Sequence, residues 1–220
     1  MRKIAPEERL IMRQSYVKKI INVIRTQGFL SLTIQDIAHL MNMSRASLYN
    51  YFSSKEDIVM ELTNFCITYI YEAGQTISNE ELSYPLRLQK VFEQAVFSAF
   101  YASDIYLNDL KRSCAPLYEK KMQSRKEQLS TLHSFYRSGM NEGIFNELNP
   151  ALLIMQDETV LRRLANSPFL MEEELSLKQA LCDYYEAKKF QVLRPKFLKN
   201  RDNEDTTEMV DRILQKLVMA

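Results

Sequence analysis

Residues 33–52 contain two short amphipathic patterns separated by only a few residues, and this spacing limits the folds that the chain can adopt. Thr33 can cap the first helix, and Asp36 stands three residues later, as in a capping box. Ser44 offers a new cap for the second helix. The connection is therefore about three or four residues long, which predicts a helix-turn-helix with a small residue, Ala38, where the helices cross.

The second pattern has one apolar face and one polar face. Leu48 and Phe52 are four residues apart and share one side of a helix, which must be buried because both are large and apolar. The other side offers a guanidinium, an amide, hydroxyls and a methyl, groups that suit base edges and phosphates in a major groove. These groups belong to Arg45, Ala46, Ser47, Tyr49, Asn50 and Tyr51. Any small helical domain can contain such a pair, so spacing alone leaves a structural role open.

Residues 53–57 predict the start of a further helix. A serine there can cap the helix, and Glu56 and Asp57 in its first turn suit the helix dipole. Lys55 would lie near the N-terminus, where backbone amides and an ammonium together favour a phosphate.

The run from Gly28 and Phe29 through TIQDIAHLMNMSRASLYNYFSSKEDI resembles the N-terminal DNA-binding domain of TetR-family transcription regulators. The resemblance covers residues 10–60, and LYNYFSSKE is its most specific part. By position, it implies phosphate contacts for Thr33, Ser47, Tyr51 and Lys55, and base contacts for Arg45, Ala46, Tyr49 and Asn50. Glycine or proline is frequent in the family at position 46 and an aromatic residue or histidine at position 50, so the operator sequence cannot be carried over.

The resemblance implies an all-α protein with a helix-turn-helix DNA-binding domain at 1–57 and a helical effector-binding and dimerisation domain at 58–220. It further implies a homodimer that binds double-stranded, near-palindromic operator DNA and responds to an unknown small-molecule effector, as a repressor. A transcriptional activator and a helical protein-interaction module that does not bind DNA are the alternatives.

Composition predicts a helical globular chain. Among 220 residues, 46% are hydrophobic, while four glycines and six prolines leave little material for hairpin turns. We expect no membrane span and no signal peptide, hence a cytoplasmic protein, because long apolar runs are missing. Three scattered cysteines predict free thiols and no metal site. Two histidines and the lack of HExxH, GxGxxG, P-loop and GxSxG motifs predict a protein that is not an enzyme and needs no cofactor.

Basic charge is concentrated near the N-terminus. Residues 1–60 contain nine basic and five acidic side chains, although the whole chain has a formal net charge of only +1. Such an end fits contact with a polyanion, but a solvated helix face has the same composition. Arg9, Arg13 and Lys18 lie off the apolar stripe of the first helix, so they either reach the DNA backbone or are solvated.

Apolar periodicity predicts the remaining helices. They cover about residues 6–27, 54–77, 85–101, 104–112, 116–141, 150–166 and 171–193, with a polar linker at 196–205 and a final amphipathic helix. Residues 119–127 mix both charge signs and should face water. The apolar residues of 150–193 exceed what one helix hairpin can bury, and the resemblance places the homodimer interface there; packing against the rest of the chain is the alternative.

Aromatic and sulfur side chains in the middle of the chain are candidates for an effector pocket, as the resemblance implies. They are Phe92, Phe100, Tyr101, Tyr106, Tyr118, His133, Tyr136 and Met155. The same side chains at helical spacing also fit an ordinary core with one hydrogen-bonded histidine.

Overall fold

The computed structural model describes residues 5–165, 167–198 and 205–218, and all regular secondary structure in these ranges is helical. The α-helices are α1 (Pro6–Gln27), α2 (Ile34–Leu40), α3 (Arg45–Tyr51), α4 (Lys55–Ser78), α5 (Tyr84–Tyr101), α6 (Asp104–Ser113), α7 (Ala115–Asn141), α8 (Pro150–Leu164), α9 (Ser167–Glu172), α10 (Leu177–Val192) and α11 (Thr206–Val218). A short 3-10 helix covers Pro195–Phe197. The predicted all-α fold is confirmed. Each described helix is too short or too polar to span a lipid bilayer.

The prediction of one helix over 171–193 is wrong, because the structure has two helices there. The chain turns after α9 at Glu174, whose φ of 53° lies in the left-handed region. Ser176 then caps α10 by accepting a hydrogen bond from the N–H of Gln179. Pro168 lies in the first turn of α9, where the missing proline N–H costs nothing.

Two further predictions concern polar segments. Residues 119–127 do not all face water, since Lys121 is 3% exposed and Ser124 is 8% exposed. In the predicted linker at 196–205, the 3-10 helix extends to Phe197, and residues 199–204 lie outside the described residues.

The chain divides into two compact units. The first contains the residues up to Tyr69 together with Tyr101–Ser124, and therefore α1, α2, α3 and α6. The second contains Ile70–Phe100 and Arg125–Val218, and therefore α8, α9, α10 and α11. Helices α4, α5 and α7 have residues in both units.

The core of the first unit lies between α1 and the helix-turn-helix. The predicted α1 stripe is buried, as are the apolar residues of α2 and α3: Val17, Ile20, Ile21, Ile24, Ile37, Ala38, Met41 and Leu48. Gly28 ends α1 with φ 76°, and its N–H donates to the Ile24 carbonyl. The N–H of Leu30 donates to the Asp109 carboxylate of α6 over 2.9 Å, which ties the segment after α1 to α6.

The core of the second unit combines an aromatic cluster with a buried ion pair. Tyr84, Phe135 and Phe145 pack edge to face or tilted, with ring centroids 5.3–5.8 Å apart. Lys188 Nζ lies 2.6 Å from the Asp157 carboxylate, and both side chains are at least 95% buried.

Helix α11 docks on the second unit through both apolar and charged contacts. Met209, Val210 and Ile213 are fully buried. Lys216 Nζ lies 2.5 Å from the carboxylate of Glu93, a residue of α5 that is itself buried. The predicted final amphipathic helix is therefore part of the packed core of this unit.

Candidate nucleic-acid interface

Both helices of the helix-turn-helix begin at a side-chain cap. The Thr33 hydroxyl oxygen accepts from the N–H of Asp36 over 3.2 Å, and the Asp36 carboxylate accepts from the N–H of Thr33 over 2.8 Å. The hydroxyl and N–H of Thr33 hold the pKa of Asp36 below its ordinary value. At α3, Ser44 Oγ accepts from the N–H of Ser47 over 3.1 Å. The predicted capping box is confirmed, and these caps fix where α2 and α3 begin.

The turn between α2 and α3 passes through the left-handed region at Asn42, whose φ is 57°. Asparagine tolerates this conformation better than most residues. The N–H of Asn42 donates to His39 O and the N–H of Met43 to Ala38 O, both over 2.9 Å, so the carbonyls at the end of α2 are satisfied. Ala38, predicted at the helix crossing, is fully buried.

Helix α3 has the two faces that its sequence predicts. Leu48 and Phe52 have no exposed surface and fix the helix from behind. The outward face consists of Arg45, Ala46, Tyr49 and Asn50, which are all exposed. The Arg45 guanidinium lies 5.6 Å from the centroid of the Tyr49 ring, so these two side chains present a cation and an aromatic face together.

The flanking residues Ser47 and Tyr51 are half-buried. Ser47 Oγ and Ser44 Oγ share a hydrogen bond of 2.9 Å. The Tyr51 hydroxyl donates to the sulfur of Met12 over 3.7 Å, and its ring packs against Tyr16 with centroids 5.0 Å apart. Both hydroxyls thus already have a partner within the protein.

Lys55 bonds to the backbone that precedes α2. Its ammonium donates to the carbonyl of Leu32 over 2.5 Å and to that of Leu30 over 3.3 Å. An ammonium has three N–H donors, so these two bonds do not use all of them. Ser54 caps α4 by accepting from the N–H of Asp57.

Arg13 is neither solvated nor turned outward, in contrast to both roles that the sequence suggested. Its guanidinium donates to Asp57 over 2.6 Å, to Glu61 over 2.8 Å and to the carbonyl of Tyr51 over 2.6 Å. It also lies 4.6 Å from the centroid of the Phe52 ring. The available signal was the four-residue spacing of Asp57 and Glu61, which places two carboxylates on one face of α4.

Arg9 and Lys18 also have partners in the first unit. Arg9 donates to the carbonyl of Asn50 over 2.8 Å, and the Lys18 ammonium lies 5.0 Å from the centroid of the Phe65 ring. The hydrogen bonds of Arg13, followed by those of Ser53, hold the pKa of Asp57 below its ordinary value, although burial opposes this.

Residues 17–62 match the family described as "Bacterial regulatory proteins, tetR family". The N-terminal helix-turn-helix segment is therefore similar to that of TetR-family regulators. The match includes the C-terminal part of α1, the whole helix-turn-helix and the first two turns of α4. No curated protein matches the sequence.

Solved structures resemble this chain over most of its length. The ketosteroid transcriptional regulator KstR2 of Mycobacterium tuberculosis has a TM-score of 0.62 at 19% identity, over 83% of this chain and 95% of that one. A putative transcriptional regulator from Saccharomonospora viridis in complex with choline has a TM-score of 0.58 at 14% identity, over 83% and 97%. AibR in complex with isovaleryl coenzyme A and operator DNA has a TM-score of 0.50 at 13% identity, over 70% and 85%. At these identities the likeness concerns the fold.

The predicted effector-pocket residues belong to two units. Tyr101, Tyr106 and Tyr118 are in the first; Phe92, Phe100, His133, Tyr136 and Met155 are in the second. The Tyr106 hydroxyl is already bonded to Thr63 over 2.6 Å. Phe92 and Tyr136 are fully buried, whereas Met155 is 56% exposed.

A cleft of about 80 Å³ lies in the first unit. Its walls are Phe29, Leu30, Lys55, Glu56, Val59, Ser113, Cys114 and Leu117, none of which is among the pocket candidates. The three cysteines are free thiols, and Cys66 is buried. In the described ranges, no group of three or more His, Cys, Asp or Glu side chains is placed to hold a metal ion.

Proposed function

We propose that this protein is a TetR-family DNA-binding regulator, and that it is a ligand-responsive repressor that binds a near-palindromic operator as a homodimer. The observation that carries the proposal is α3, a capped helix with Leu48 and Phe52 buried behind it and a polar face exposed in front. Its size and outward chemistry suit a major groove.

Each outward side chain of α3 then has a defined task. Arg45 forks onto a guanine, the Asn50 amide pairs with an adenine, and the Ala46 methyl contacts a thymine methyl. Tyr49 packs beside Arg45 and faces the bases. The hydroxyls of Thr33, Ser47 and Tyr51 exchange their partners within the protein for phosphates, and the remaining donor of Lys55 contacts a phosphate directly. These contacts position the helix without reading sequence.

The homodimer forms through the helices within 150–193. Helices α8 and α10 contact each other and carry exposed apolar side chains, since Leu152 is 58% and Phe190 is 66% exposed. Large apolar side chains that are exposed in the single chain favour association. Two copies would present α3 to half-sites about 34–36 Å apart, one turn of the duplex.

Light scattering in solution tests the interface. The wild-type protein should have twice the 25.9 kDa chain mass, and Phe190→Glu should reduce the mass toward that of one chain. Arg137→Glu, at an exposed position of α7 outside 150–193, is the matched control and should leave the dimer intact. An unchanged mass for Phe190→Glu together with Leu152→Glu would place the interface elsewhere.

The effector is a small molecule that binds in the second unit at the candidate residues found there. Phe92, Phe100, Tyr136 and Met155 offer apolar walls, and His133 offers a polar group that orients a ligand. AibR, in complex with both isovaleryl coenzyme A and operator DNA, supports a regulator that binds a small molecule as well as DNA. The effector weakens DNA binding only if it favours the conformation with lower DNA affinity.

Selection from a random pool of DNA duplexes tests the whole proposal. The full chain should enrich a near-palindromic sequence, shift it in a gel and lose affinity steeply as salt rises. A reporter gene placed behind that sequence should fall in output when the chain is expressed; a rise would identify an activator. Absence of enrichment and of binding to genomic DNA at low salt would favour a protein-interaction module.

A further inference from the structure

The first two turns of α4 hold the helix-turn-helix at both of its ends. Before α2, Lys55 binds the carbonyl of Leu32 over 2.5 Å. After α3, the carboxylate of Asp57 accepts from the N–H of Ser53 over 2.8 Å and from the guanidinium of Arg13 over 2.6 Å. A single helix segment therefore bonds to the backbone on either side of the two DNA-facing helices.

Arg13 connects this segment to the end of α3. One terminal nitrogen donates to the Tyr51 carbonyl, the other to Asp57, and Nε donates to Glu61. The plane of the guanidinium fixes the directions of these bonds relative to one another. Its position 4.6 Å from the centroid of the Phe52 ring adds a contact with the residue that ends α3.

Helix α3 depends on such external support. It has only seven residues, far fewer than a helix needs to be stable alone. Its last carbonyls have no partner within the helix, and positive charge near a helix C-terminus is favourable. Arg9 supplies a second guanidinium at the carbonyl of Asn50, so two arginines of α1 bind the two last carbonyls of α3.

We propose that Arg13 is a positioning residue that, held by Asp57 and Glu61, sets the orientation in which α3 meets the DNA, and that it does not contact a phosphate. The inference rests on the proposed function, because it takes α3 to be the helix that reads bases. Arg13, Asp57 and Glu61 then affect sequence specificity although none of them contacts a base.

Asp57→Asn gives the sharpest test. A purely electrostatic role of Asp57 and a role in positioning α3 predict changes of opposite sign in DNA affinity. Removing a carboxylate from a DNA-binding domain should, on charge alone, raise the affinity for every duplex. If Asp57 holds Arg13 and α3 in place, affinity for the selected sequence should fall relative to a scrambled duplex by about tenfold. Affinities for both duplexes are measured by fluorescence anisotropy at several salt concentrations.

Arg13→Met and Arg13→Lys complete the series. Both should lower the ratio of selected to scrambled affinity by about tenfold and leave the salt dependence on scrambled DNA unchanged. A phosphate contact predicts instead an equal loss on both duplexes, a salt slope lower by about one, and rescue by lysine. Arg137→Met, at an exposed arginine of α7, is the matched control and should change neither quantity.

Circular dichroism and thermal unfolding of each variant accompany the binding assays. A variant that is only partly folded loses affinity for both duplexes in the same proportion, so the affinity ratio still reports the orientation of α3. Equal changes on both duplexes for Asp57→Asn and Arg13→Met would overturn the positioning role. Failure of the wild-type chain to select any sequence would instead refute the proposed function.

Discussion

Replacing Asp157 by alanine should destabilise the second unit by about 3–5 kcal/mol, the usual cost of removing one partner from a buried ion pair. The two side chains are 5% and 1% exposed, and Asp157 accepts from Lys188 over 2.6 Å and from the Tyr184 hydroxyl over 2.9 Å. Alanine leaves the Lys188 ammonium buried without this carboxylate. For a chain of this length, the loss corresponds to a fall of roughly 6–20 °C in the unfolding temperature.

The pH dependence of the same variant provides a second measurement. Burial lowers the pKa of Lys188, but Tyr136 and Asp157 outweigh it and raise the pKa above its ordinary value. This group therefore stabilises the wild-type protein throughout the range below pH 10, and the stabilisation is lost only as the pH rises through the raised pKa. Without Asp157, burial dominates and the ammonium should deprotonate more easily. The difference in unfolding temperature between the wild-type protein and Asp157→Ala should therefore become smaller between pH 7 and pH 10.

Calorimetry on a small set of variants checks the reasoning. Asp211→Ala removes the partner of an exposed pair, Lys178–Asp211, whose side chains are 44% and 45% exposed, and should cost at most about 1 kcal/mol. Asp157→Leu combined with Lys188→Met should recover most of the loss, because it removes both charges from the interior. Equal unfolding temperatures for Asp157→Ala and Asp211→Ala would refute the larger loss of stability assigned to breaking the buried pair.

Three further results are expected. Arg45→Ala should weaken binding to the selected sequence by about 1–3 kcal/mol and relax the preference at one base pair, as measured by selection with the variant. Gly28→Ala should destabilise the first unit by about 1–3 kcal/mol in urea unfolding, because φ is 76° and a Cβ would lie 2.4 Å from the Asp109 carboxylate. Arg13 holds the pKa of Asp57 below its ordinary 3.8, so the charged carboxylate stabilises the folded protein. This stabilisation should be lost as the pH falls below 3.8 and through the depressed pKa. Asp57→Asn should show a smaller loss over the same range in circular dichroism melts.

The predicted features that the structure bears out depend on residues close together in sequence. The caps at Thr33 and Ser44 act across three residues, and the two faces of α3 follow from the four-residue spacing of Leu48 and Phe52. Local hydrogen bonds and helical periodicity determine these features, so the sequence alone predicts them.

The features that were missed depend on distant residues or on backbone turns without a strong sequence signal. The bond from Arg13 to Asp57 joins residues 44 apart, and nothing in the α1 pattern marks that arginine as inward. The break between α9 and α10 turns at Glu174, a residue that rarely adopts a positive φ. Lys121 is buried. Lysine normally faces water, so the apolar pattern of α7 predicted an exposed position for it.

The separation of the two faces of α3 has an evolutionary consequence. Arg45, Ala46, Tyr49 and Asn50 have exposed side chains, while the residues that hold the helix in place, Leu48 and Phe52, point the other way. Substitutions on the exposed face therefore leave the interior packing intact. On the proposed DNA-reading role of α3, descendants of this gene would acquire new target sites by substitutions at these four positions without passing through an unstable intermediate.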